Sequence, residues 1–142
     1  MQKSAISREQ NAEGRFPREP GMNAESPRDT SARMLQFATN CFNLSNRLNR
    51  TMAGRYLANQ LMRSSASSGA NYQEACGAES KADFLHKMQL VLKGLRESNF
   101  WLQLLANTGL VPEATLKPLQ TEADELVRIF AKSIVTLKSR QH

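Results

Sequence analysis

Apolar side chains recur at every third or fourth position through most of the chain, and that period limits the available folds more than any other feature. Phe84, Met88, Val91, Leu95, Leu102 and Leu105 form one stripe, interrupted only at Ser98. Leu116, Leu119, Ala123, Leu126, Phe130, Ser133 and Leu137 form a second, and Met34, Phe37, Cys41, Leu44 and Leu48 a third. Ala53, Leu57, Leu61, Ser64 and Ser68 make a fourth, poorer in large side chains. Such stripes bury one face of a helix and do not alternate as a half-buried strand must. Val and Ile are scarce beside Leu, which also argues against a sheet. A chain of 142 residues with 40% hydrophobic content has room for one core. The expected fold is all-α, an antiparallel up-down-up-down four-helix bundle. The alternative is an open helical array that completes its core by oligomerising.

Punctuation between the stripes sets the boundaries. Helices are expected over residues 31–49, 52–77, 81–107 and 112–139. Pro17, Pro20, Pro27, Gly14 and Gly21 break any period before residue 30, so residues 1–29 read as a disordered tail. Thr30 or Ser31 is the expected cap of the first helix. Ser80-Lys81-Ala82-Asp83 fits the S-x-x-D capping pattern, and Gly109 suits a left-handed helix end. Pro112 suits a first turn, whereas Pro118 requires either a separate turn or a bend.

The stretch "RSSASSGANYQEA", residues 63–75, admits three readings. As a linker it lacks proline. As a phosphate loop it lacks the GxxxxGK[ST] lysine and a preceding strand. As helix it continues the fourth stripe, bent near Ser68-Gly69, with small side chains that let another helix approach. The helical reading is adopted. Ser67, Gly69, Ala70, Asn71, Tyr72 and Trp101 are therefore candidates for tight helix or subunit packing.

The net charge is +6, and residues 1–29 contribute none of it. Residues 30–73 hold Arg33, Arg47, Arg50, Arg55 and Arg63 and no acid. Arginine presents a planar fork that suits phosphate, so these five are the candidate nucleic-acid contacts. Few aromatics interleave with them, which points to backbone contact without base reading. Phe100 and Trp101 could stack bases, but their leucine neighbours place them first in a core or subunit interface.

Catalytic and metal chemistry find little support. Asp83 and His86 share a helix face, yet no nucleophile or second base accompanies them, and a capping role suffices for Asp83. Cys41 and Cys76 have no metal-ligand spacing and are expected as reduced, packed thiols. No catalytic residue, metal or cofactor is assigned. The start "MQKSAISREQ" lacks an apolar leader segment, and "FWLQLLA" is too short to span a bilayer, so a cytoplasmic protein without membrane attachment is expected.

Residues 60–110 carry a more specific signal. Gln60, Leu61, Arg63, Ser64, Ser67, Gly69, Ala70, Asn71, Tyr72, Glu74 and Ala75 are followed by Ser80, Asp83, Phe84, His86 and Lys87, then by Glu97, Ser98, Trp101 and Leu102. In order and spacing this resembles the signature of a family of small bacterial four-helix bundle proteins. The family includes the protein encoded in intervening sequences of the large ribosomal RNA gene. The resemblance implies a ring-like homopentamer. A more distant similarity, to the accessory variability determinant of diversity-generating retroelements, implies a basic pentamer that binds a reverse transcriptase and nucleic acid. The family pattern carries an acid where this chain has Gly94. The function expected is thus a non-enzymatic homo-oligomer that binds RNA or DNA through basic helix faces, as an accessory to an RNA-processing or reverse-transcribing protein partner. The alternative is a protein–protein scaffold whose arginines only solubilise it.

Overall fold

The computed structural model describes residues 26–140. Four helices follow one another: α1 (Pro27–Ser45), α2 (Met52–Cys76), α3 (Lys81–Thr108) and α4 (Glu113–Arg140). They form the expected up-down-up-down bundle. Consecutive helices pack extensively, and α1 packs against α4 much less so. The apolar stripes meet in one core, where Phe37, Met34, Leu61, Met88, Leu95, Leu102, Leu126 and Phe130 are fully buried.

The first helix begins earlier than expected. Ser26, not Thr30 or Ser31, is the cap: its hydroxyl accepts from Asp29 N at 3.1 Å, and Ser26 N donates to the Asp29 carboxylate at 3.4 Å. Pro27 occupies the first helical position, where its missing N–H costs nothing. Thr30 is instead fully buried. The remainder of the expected tail lies outside the described residues.

The other boundaries follow the expected chemistry. Ser80 accepts from Asp83 N at 3.0 Å, and Asp83 reaches back to Glu79 N at 3.3 Å. Gly109 ends α3 in the left-handed region, with φ of 71°. In α4 the first turn is not separate: Pro118 lies inside one continuous helix. The proline therefore removes one hydrogen bond without ending the element.

The serine-rich run is helical throughout, within α2. Its buried members are Ser64, Ser65 and Ser68. Ser64 and Ser68 press against α3 at Gly94, where a Cβ would overlap the Ser68 hydroxyl and sit 3.1 Å from the Ser64 carbonyl oxygen. A larger side chain at position 94 has no room at this helix separation. Buried hydroxyls need partners, and these find them on nearby helix carbonyls. Ser68 Oγ donates to Ser64 O at 2.7 Å, and Ser98 Oγ donates to Gly94 O at 2.9 Å. Ser64 and Ser98 hydroxyls lie 2.8 Å apart. A hydroxyl has one proton, so either Ser98 bonds Gly94 O and Ser64 donates to Ser98, or Ser64 bonds Leu61 O at 3.3 Å and accepts from Ser98.

Both cysteines are reduced. Burial pushes the Cys41 thiol up to about 12, and a hydrogen bond with Ser65 opposes that rise only partly. Burial also raises Cys76, against hydrogen bonds with Tyr72 and Ser31.

Two outcomes follow from this packing. Gly94→Ala, a change that normally strengthens a helix, should here destabilise the fold by about 1–3 kcal/mol in chemical denaturation. Adding Ser68→Ala should recover part of the loss, because the Ser64 carbonyl still crowds the new methyl. The Cys41 thiol keeps its proton in the folded state beyond its ordinary value of 9.0, so its contribution to stability is complete below about pH 9 and fades as pH rises towards about 12. Denaturation midpoints of the wild type should therefore fall more steeply above about pH 9 than those of Cys41→Ala.

Candidate nucleic-acid interface

The α1–α2 turn gathers three of the five arginines. Residues 46–51 leave α1 through tight turns, with Arg47 N donating to Leu44 O and Leu48 N to Ser45 O, both at 3.0 Å. Leu48 is drawn into the core, which turns its neighbours Arg47 and Arg50 to solvent. Thr51 caps α2 by accepting from Gly54 N at 2.9 Å. Gly54 is needed there, because a Cβ would overlap the Leu48 carbonyl oxygen. Arg55 lies in the first turn of α2 and donates to Asn49 O at 3.3 Å. The turn borders a cleft of about 600 Å³ lined by Arg47, Arg50, Asn46, Asn49, Thr51 and the α3–α4 residue Leu110, among others. Its lining holds no acid.

Arg63 is exposed on the outer face of α2, about 12 Å further along the helix from Arg55. Among the described residues Arg47, Arg50 and Arg63 form no ion pair. Arg33 stands apart. It lies about 20 Å from Arg47 along α1. Its guanidinium grips Glu122 of α4 with two bonds of 2.8 Å and reaches Glu125 at 2.7 Å. The sequence-based set of five is therefore split. Arg47, Arg50 and Arg55 come together, Arg63 continues their helix, and Arg33 clamps α1 to α4.

The packing candidates also divide. Tyr72 is buried edge-on against Phe130, with ring centroids 5.4 Å apart. Gly69 and Asn71 are half-buried, and Ser67 and Ala70 are exposed. The close helix approach belongs to Ser64 and Ser68 instead, since a Cβ on Gly69 would lie 3.9 Å from its nearest neighbour, Met34 O. Ala66, Gly69 and Ala70 floor an outer groove of about 540 Å³ whose α1 wall includes Leu35, Ala38 and Phe42. Glu74 of the motif bonds Lys87 across to α3 at 2.7 Å, and this bond, then the charge of Glu74, raises the Lys87 amine. Trp101 is half-buried, edge-on to both Tyr56 at 5.9 Å and Phe100 at 5.0 Å, with its indole N–H towards Glu97 at 3.4 Å.

Tyr56, not among the site candidates read from the sequence, and Phe100, expected in a core or subunit interface, are both more than half exposed, at 56% and 55%, so Phe100 is not in the core of the bundle. Asp83 is committed to the α3 cap, and His86 is exposed. Among the described residues no three metal-ligating side chains cluster, and no helix is long and apolar enough to cross a membrane.

These features define a small antiparallel four-helix bundle with a cluster of arginines at one turn. Residues 29–132 match the family model of the 23S rRNA-intervening sequence protein, and the chain belongs to that family. Among solved structures, it is similar to a protein of unknown function from the S23 ribosomal protein family of Bacteroides thetaiotaomicron. That chain is 29% identical, with a TM-score of 0.72, and the match covers 78% of this chain and 98% of the other. No curated protein matches the sequence.

The division of the arginines is open to test. Arg33→Gln should destabilise the fold by about 1 kcal/mol, lowering the melting temperature by about 4 °C. Arg63→Gln should leave it unchanged. Equal losses in the two variants would contradict the assignment.

Proposed function

We propose that this protein is a non-enzymatic, self-associating bundle of the cytoplasm that holds nucleic acid by its phosphates. Arg47, Arg50 and Arg55 at the α1–α2 turn and Arg63 on α2 supply the contacts. The observation that carries this reading is that Arg47, Arg50 and Arg63 have no acid partner among the described residues, in a segment with no carboxylate from residue 30 to 73. An unneutralised arginine fork draws phosphate oxygens and releases condensed counterions. Contacts of this kind position a nucleic acid without reading its sequence. The likeness to ribosomal-RNA intervening-sequence and retroelement accessory proteins supports an accessory role beside an RNA-processing or reverse-transcribing partner.

Self-association is supported by the outer α1–α2 groove. Leu35 and Phe42 are exposed beside the small floor of Ala66, Gly69 and Ala70, and the lining bears no charge. Depletion of charge marks the centre of protein interfaces. The family resemblance makes a homopentamer the expected state. The second reading, a protein-binding scaffold without nucleic acid, is favoured by this same groove and would assign it to a different protein.

Binding of labelled RNA and DNA oligonucleotides between about 50 and 300 mM salt separates the two readings. The logarithm of affinity should fall linearly with the logarithm of salt, and each arginine removed from Arg47, Arg50 or Arg63 should reduce the slope by about 0.7–0.9. No affinity even at low salt would sink the nucleic-acid reading. Light scattering should give a pentamer, and a clean monomer would overturn self-association.

A further inference from the structure

The acid-free face of α2 has a second feature, which the phosphate reading does not use. A surface cavity of about 550 Å³ lies between Phe42 of α1 and the α2 residues Tyr56, Asn59, Gln60 and Arg63. Tyr56, Asn59, Gln60 and Arg63 occupy steps of three and four, so one helix face presents them together. Tyr56 is 56% exposed and Phe42 is 42% exposed. The Trp101 ring meets the Tyr56 ring at right angles, with centroids 5.9 Å apart. Among the described residues the Asn59 and Gln60 carboxamides bond no protein group, and the Arg63 guanidinium has no partner. The cavity thus combines aromatic faces, two free donor–acceptor amides and a free cation, with no carboxylate in its lining.

We infer that this cavity is a base-binding site for single-stranded nucleic acid: an unpaired base stacks on Tyr56, Asn59 and Gln60 meet its edge, and Arg63 holds the adjoining phosphate. The inference rests on the phosphate-binding reading above and adds to it a preference for unpaired strands. Aromatic rings beside a cationic groove bind single strands in this way, because every base has a face to stack. Amide side chains present both donors and acceptors to a base edge. A duplex keeps its bases inside the stack and offers this cavity none. Arg63 lies about 10 Å along the helix from Tyr56, within reach of the phosphate of a base stacked there.

Trp101 is the only tryptophan, so its emission reports on the Tyr56 ring directly. The full chain is titrated at low salt with oligo(U), with oligo(dT), with a duplex of equal length and with an abasic strand of equal length. Either single strand should quench Trp101 and bind about tenfold tighter than the abasic strand. Tyr56→Ala should abolish that advantage while Tyr56→Phe, which keeps the ring, retains it. Circular dichroism verifies that both exposed-site variants stay folded. Equal binding of abasic strand and single strands, or an unchanged advantage in Tyr56→Ala, overturns the base site and leaves the phosphate reading intact. If no nucleic acid binds at all, both readings fall. Trp101 emission that follows protein concentration and ignores nucleic acid assigns the face to a second copy and overturns the proposal.

Discussion

The contact of Gly94 with Ser64 and Ser68 determines what the rest of the molecule can present. A glycine facing two serines brings α2 and α3 to a separation that no larger side chain at position 94 would permit. Small polar groups can line so close an interface only because their hydroxyls turn onto helix carbonyls: Ser68 onto Ser64 and Ser98 onto Gly94. With that face of α2 held against α3, its helical phase is fixed. Arg63, Ala66 and Ala70 must then point outward. The acid-free run becomes a surface because its serines are the part that is buried.

Charge is sorted on the same principle. The carboxylates of the described residues are largely occupied. Asp29 and Asp83 cap helices, Glu122 and Glu125 hold Arg33, Glu74 holds Lys87, and Asp124 accepts from Asn99 at 2.9 Å. Each takes a role close to where helix ends or neighbouring helices place it. None extends to the α1–α2 turn, where Leu48 and Gly54 force a tight chain reversal and leave Arg47 and Arg50 in solvent. The positive potential at that end is therefore a product of topology as much as of composition.

The fold was legible wherever the signal was local. Apolar spacing located all four helices, and Ser80 and Gly109 marked their ends because caps are short-range chemistry. Ser26-Pro27-Arg28-Asp29 is the same S-x-x-D pattern as Ser80–Asp83, yet it was passed over because proline reads first as a breaker. The phase of α2 was legible in part: the stripe through Leu57 and Leu61 carries Ser64 and Ser68 inward, but small side chains on both faces of residues 64–70 made Ser67, Gly69 and Ala70 look like close-packing residues as well. Arg33 looked like its four neighbours in type, and only its partner 89 residues away on α4 separates it. The exposed pairing of Tyr56 was not legible, because its companion, Trp101, lies on another helix.

Phe42 and Ala66 line both the outer α1–α2 groove and the cavity at Tyr56 and Arg63. Under the functions proposed, a neighbouring copy in the groove and a base in the cavity touch the same two side chains. Neither can then be occupied without altering the free energy of the other. Such coupling is reciprocal by thermodynamic necessity: whatever nucleic acid does to self-association, self-association does equally to nucleic-acid affinity. A ring that closes through the groove and leaves Tyr56 open would line up one cavity per subunit, and the strand would gain by bridging them. A copy that reached over Phe42 would instead compete with the strand. The sign of that single coupling separates a nucleic-acid-binding assembly from a store of inactive oligomer, and Phe42 is the residue through which it passes.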